Sequence, residues 1–94
     1  ISEVASEFNL EQNYPNPFNP VTKIKFSISG LSVAQTFLSV YDVLGREVET
    51  LVNEQLKPGT YEIEWDGSNF SSGVYFYSLN SASVTITKKM ILLK

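Results

Sequence analysis

The sequence has no cysteine and no histidine in its 94 residues. Without cysteine there is no disulfide and no thiol nucleophile, so the fold does not depend on redox state. Without either residue, zinc sites of the usual type and the Ser-His-Asp triad are excluded. No apolar run reaches the roughly 18 positions that a membrane-spanning helix needs. Basic residues are few, 7 against 10 acidic, and the net charge is −3. That balance argues against a nucleic-acid surface. The basic residues form no stripe, although Lys88, Lys89 and Lys94 gather towards one end. The 5 glycines stand singly, so there is no phosphate-cradling loop. No basic, apolar and small-residue leader is visible, and the first residue is Ile1. The expectation is a piece of a longer protein, with any signal peptide upstream.

What the chain does have is apolar and aromatic bulk. At 43% hydrophobic and 13% aromatic, it is too rich for disorder and sufficient for one small core. Residues 1–6 read as the end of a linker and residues 7–94 as a single domain. The densest signal is Gln12-Asn13-Tyr14-Pro15-Asn16-Pro17-Phe18-Asn19-Pro20. Each proline fixes its own φ and pushes the residue before it towards extended geometry. The segment should be a stiff corner between two strands, with Tyr14 and Phe18 anchoring it to the core.

Strand signals fill the rest. Phe8 and Leu10 share one face of a short first strand. Ile24, Phe26 and Ile28 alternate with Lys23, Lys25 and Ser27, the pattern of a half-solvated antiparallel strand. Residues 36–43 are apolar on both faces, which suits a central position. Asp42-Val43-Leu44-Gly45-Arg46 fits a type I turn closed by a left-handed glycine. Asp42 is then a turn-capping side chain rather than a catalytic acid. The return strand covers residues 47–52, with Val48 and either Leu51 or Val52 packing. Residues 53–56 read as a connector, and Lys57-Pro58-Gly59-Thr60 as a type II turn. Tyr61, Ile63 and Trp65 alternate with Glu62 and Glu64, and Trp65 should be the largest core contributor. Asp66-Gly67-Ser68-Asn69 marks a turn. Residues 74–79 form a strand with Tyr75 and Tyr77 on one face. Residues 84–94 form the last strand, with a bulge expected at Lys88-Lys89. About seven short strands, frequent turns and no helical period predict an all-β, immunoglobulin-like antiparallel sandwich.

No chemistry stands out. Eight of the acids are glutamates, mostly on outward strand positions, and a solvated face explains them better than a pair of catalytic carboxylates. Asp66-Gly67 lacks the Asp-rich context of a calcium loop. No cofactor, metal or catalytic residue is expected. Tyr75, Tyr77 or Trp65 could stack on a sugar if exposed, although a domain this small needs such rings inside.

Five stretches, in order, resemble one family. They are Phe8-x-Leu10-x-Gln12 through Pro20-x-Thr22-x-Ile24-x-Phe26, then Val40-Tyr41-Asp42-x-x-Gly45-Arg46-x-Val48, then Gly59-x-Tyr61 with Trp65-Asp66-Gly67. Ser72-Gly73-Val74-Tyr75-Phe76-Tyr77 and Lys89-Met90-x-Leu92-x-Lys94 complete the set. Together they resemble the C-terminal sorting domain of the type IX secretion system, type A, over residues 8–94. The family is in turn similar to the immunoglobulin-like domain of flagellar hook-capping proteins. The resemblance implies a non-catalytic domain at the end of proteins exported by Bacteroidetes and related bacteria. A cargo domain in the same chain would fold in the periplasm. The outer-membrane translocon would read the sorting domain, and a sortase-like peptidase often removes it. The destination would be the cell surface or the medium. Tyr14, Pro15, Asn16, Pro17, Phe18, Asn19, Pro20, Asp42, Gly45, Trp65, Asp66, Gly67, Gly73 and Tyr75 are assigned to the structural motif. Lys88, Lys89, Met90, Leu92 and Lys94 are assigned to partner recognition, by strand addition at a free terminal strand. The alternative is a carbohydrate-binding or structural accessory module of a secreted glycosidase or protease.

Overall fold

The computed structural model describes residues 7–94. Seven strands lie among them: β1 (Asn9–Leu10), β2 (Val21–Ile28), β3 (Ala34–Tyr41), β4 (Glu47–Leu56), β5 (Gly59–Asp66), β6 (Gly73–Ser81) and β7 (Val84–Leu92). They form two antiparallel sheets, a three-stranded one in the order β1-β2-β5 and a four-stranded one in the order β4-β3-β6-β7. The described residues contain no helix. The alternation read from β2 holds: Ile24, Phe26 and Ile28 are buried while Lys23 and Lys25 are exposed. β5 repeats it, with Trp65 2% exposed and Glu62 and Glu64 in solvent. These faces close on Leu38 and Val40 of β3 and Tyr75, Tyr77 and Leu79 of β6. β3 is central, between β4 and β6.

The β3–β4 turn forms as its residues require. Gly45 sits at φ +83°, where a side chain would be strained. Asp42 Oδ1 accepts from the amides of Leu44 (2.9 Å) and Arg46 (3.0 Å), and Oδ2 takes the Arg46 Nε at 2.8 Å. The Arg46 amide is the main reason that the Asp42 carboxyl lies below its ordinary pKa.

Four local expectations change. β4 does not stop at Val52; it runs to Leu56, because β3 starts early enough to pair Ala34 with Leu56 and Phe37 with Asn53. Gly59 has φ +156°, far from the roughly +80° of a type II turn, and it opens β5 directly. No bulge occurs at Lys88-Lys89: β6 offers a partner to each, Tyr77 to Lys88 and Phe76 to Lys89. The irregularities lie in the β3–β4 pair instead, at Leu38/Ser39 and Val40/Tyr41. Finally, Tyr14 is no anchor. Its backbone pairs with Lys23, but its ring is 80% exposed. Phe18 alone carries that role, at 1% exposure, a burial that stabilises by roughly 2 kcal/mol.

The two ends of the sandwich are distinct. Asn9 pairs with Ser27, near the end where Ile28 meets Gly59. Phe18 pairs with Leu92, at the end where Val21 meets Asp66. The chain therefore enters at one end of a body 42 Å long and reaches Leu92 at the other.

Candidate functional site

Among the residues read from sequence as a recognition set, two are core. Met90 and Leu92 are fully buried, because alternation along β7 turns them onto Tyr75 and Gly73 of β6. Lys88 follows the same parity and lies at the rim of the core face, half-buried. Lys89 points the other way and is exposed. Adjacent strand residues always part in this way, so these two lysines do not form one patch. Lys94 is held apart from both. Its Nζ donates to the carbonyls of Ser68 (2.6 Å) and Phe70 (2.8 Å), and its amide donates to Ser72 Oγ at 2.9 Å.

β7 is an edge strand, but part of its edge is closed. Odd-numbered residues turn their backbone groups away from β6. The segment 12–18, a strap across this edge, takes up the far end of that row. The Phe18 amide donates to Ile91 O and the Leu93 amide to Phe18 O, both at 2.9 Å. Asn16 Oδ1 accepts from the Ile91 amide at 3.0 Å, and Gln12 Nε2 donates to Lys89 O at 2.7 Å. The outward groups of Thr85 and Thr87, and the Lys89 amide, have no hydrogen-bond partner among the described residues. Among the described residues, the terminal strand expected from sequence to be free is thus open only from Val84 to Lys89.

The strap is locked by a buried polar network. The Tyr77 hydroxyl donates to Glu11 O (2.7 Å) and accepts from the Asn13 amide (2.8 Å). Burial pushes its pKa up to about 12, against a smaller lowering by the Asn13 amide. Asn13, 2% exposed, donates from Nδ2 to Pro15 O and to Thr22 Oγ1, and Thr22 donates to Pro15 O. Every polar group here has a partner, as burial demands. Sequence reading missed Gln12, Asn13, Thr22 and Tyr77 in this role. The one available signal was that Thr22 and Asn13 flank the prolines where a solvated loop would not need them.

The motif residues converge at the Leu92 end. Phe18, Phe70 and Tyr75 pack around Trp65 with ring centroids 5.6, 5.5 and 5.9 Å away. Gly67 donates its amide to Pro20 O at 2.8 Å, and a Cβ there would come within 3.2 Å of Leu92 and 3.4 Å of Phe18. Asp66 is held below its ordinary pKa by the Ser68 hydroxyl and amide, with Lys94 adding to them. Between the Asp42–Arg46 turn and residues 69–75, bordered by Gly73, lies an open groove of ≈ 460 Å³. Trp65, Tyr75 and Tyr77 are all buried, which removes them as a sugar platform. Trp65 also donates Nε1 to Glu49 at 3.0 Å, tying the two sheets on the side away from the strap.

The model of one family, described as a secretion system C-terminal sorting domain, matches residues 12–93. No curated protein and no solved structure matches the chain.

Proposed function

We propose, from the premise that this chain belongs to the type IX secretion C-terminal sorting domain family, that its folded sandwich is read as a transport address. Membership implies export to the cell surface or extracellular space. In this reading a cargo domain in the same chain travels with the address. The outer-membrane translocon engages it, and a sortase-like peptidase then acts on the delivered protein. The domain contributes no catalysis of its own. The family match over residues 12–93 carries the proposal.

The open edge supports a specific mode of reading. A translocon strand pairs with Thr85, Thr87 and the Lys89 amide, where main-chain groups supply affinity. Lys89, exposed on the outer face, sets the direction of approach by charge. Met90 and Leu92 act indirectly, by holding β7 in place.

Two measurements test this. The 94-residue chain fused behind a periplasm-folding reporter should reach the medium in a type IX-competent host and stay in the periplasm of a type IX-deficient one. Equal export from both would overturn the sorting role. Thr87→Pro places a proline at an outward edge position, where no internal ladder bond is lost. It should preserve folding and stop export. Normal export of that variant would rule out strand addition while leaving the sorting role intact.

A further inference from the structure

Strand register builds an ordered surface on the side of the four-stranded sheet turned away from the core. Thr50 lies opposite Ser39, Ser39 opposite Ser78, and Ser78 opposite Thr87. Four short hydroxyl side chains thus form one row across all four strands. Two residues along β3 to one side stands Phe37, between Asn53 and Asn80. Two residues to the other side stands Tyr41, between Glu47 and Phe76. The longer flanking side chains rise above the hydroxyl row and make it the floor of a trough. From strand geometry it is about 14 Å long, with its aromatic walls about 13 Å apart. Its part around Ser39 is a groove of ≈ 260 Å³ lined by Phe37, Tyr41, Glu47, Thr50, Asn53 and Asn80.

The core does not call for this arrangement. Leu38, Val40, Tyr77 and Leu79 fill the opposite face of the same strands. A merely solvated face has no need to leave Phe37 39% exposed at its centre. The hydroxyls and side-chain amides can each donate and accept. The rings offer flat apolar faces between them. Glu47 is the charged side chain lining the groove around Ser39, and Lys89, opposite Phe76, stands at the far end of the same wall. The trough thus carries one charge of each sign and no excess that would favour an ionic ligand. A peptide strand would seek an edge, not the middle of a face.

We propose that this trough binds a neutral oligosaccharide lying across the strands. Its hydroxyls bond to Thr50, Ser78 and Thr87 and to Asn53 and Asn80, with Ser39, 5% exposed, as the floor beneath them. Its C–H faces rest on Phe37 and Tyr41. This site lies on the face of the sheet, meets β7's open edge only at Thr87, and does not depend on the sorting role. Affinity electrophoresis of the 94-residue chain tests it, in gels containing hydroxyethylcellulose, laminarin, glucomannan or xylan. At least one gel should retard the chain. Phe37→Ala should weaken that binding by roughly tenfold or more. Thr50→Arg, at an exposed position, fills the trough without touching the core and should do the same. Absence of retardation in all four gels would overturn the proposal, as would unchanged retardation of Thr50→Arg.

Discussion

Tyr77 shows how much one atom can hold. Its hydroxyl serves a carbonyl on one side and an amide on the other, both from the chain leading into the strap. Tyr77→Phe keeps the ring and leaves Asn13 N–H and Glu11 O without that partner, which should cost about 1–3 kcal/mol. Urea denaturation should show a lower midpoint with an unchanged slope. The raised pKa adds a pH signature. In the unfolded chain a tyrosine ionises near 10.0, whereas the folded Tyr77 keeps its proton to about 12. Above pH 10 the unfolded state therefore binds fewer protons. The stabilisation is complete below that pH and is lost as the pH rises through 12. Tyr77→Phe should flatten this alkaline loss relative to wild type. Tyr14 is the instructive contrast. It is an equally large aromatic in the family's densest motif, yet its ring lies in solvent. Sequence around a proline says that the backbone is extended; only the β2 and β7 partners decide which ring faces in.

At the scale of elements, the strap and β7 form a seam with one sealed half and one open half. Amide hydrogen exchange should map it. The Ile91 and Leu93 amides, bonded to Asn16 and Phe18, should exchange slowly, and the Thr85 and Thr87 amides fast. Phe18→Ala should raise exchange at Ile91 and Leu93 towards that of Thr87. Uniform protection along β7 would contradict the seam. The strands themselves were legible, because a period of two with one apolar face is a local property. β2 and β5 follow it residue by residue. The Asp42–Gly45 turn was legible for the same reason, since its capping bonds span only four residues. The β3–β4 bulges and the extension of β4 to Leu56 were not, because they depend on register between strands. Lys88 misled because a lysine stem can lie along an apolar rim and still keep the strand regular. The hydroxyl row across β4, β3, β6 and β7 is invisible in sequence, since its members come from four separate segments.

For the molecule as a whole, the segment proposed for recognition also holds the fold together. Removal of Lys89–Lys94 takes Met90 and Leu92 out of the core and strips the partner groups from Phe18 and Asn16. Circular dichroism of the truncated chain should show loss of the folded signal at room temperature, since two core losses of about 2–5 kcal/mol each, with the strap's hydrogen bonds gone as well, are of the size of a small domain's whole stability. A folded truncation would mean that the strap and β6 suffice without the end of β7. The strap bears on one thing more. Phe18 and Leu92 run parallel, with the incoming chain and Leu92 at opposite ends of the sandwich. A pull applied between residue 7 and Leu92 is therefore directed along this seam. Its hydrogen bonds are loaded side by side, in shear, and must yield together. The seam can thus transmit a pull between the two ends of the sandwich without unzipping from its end.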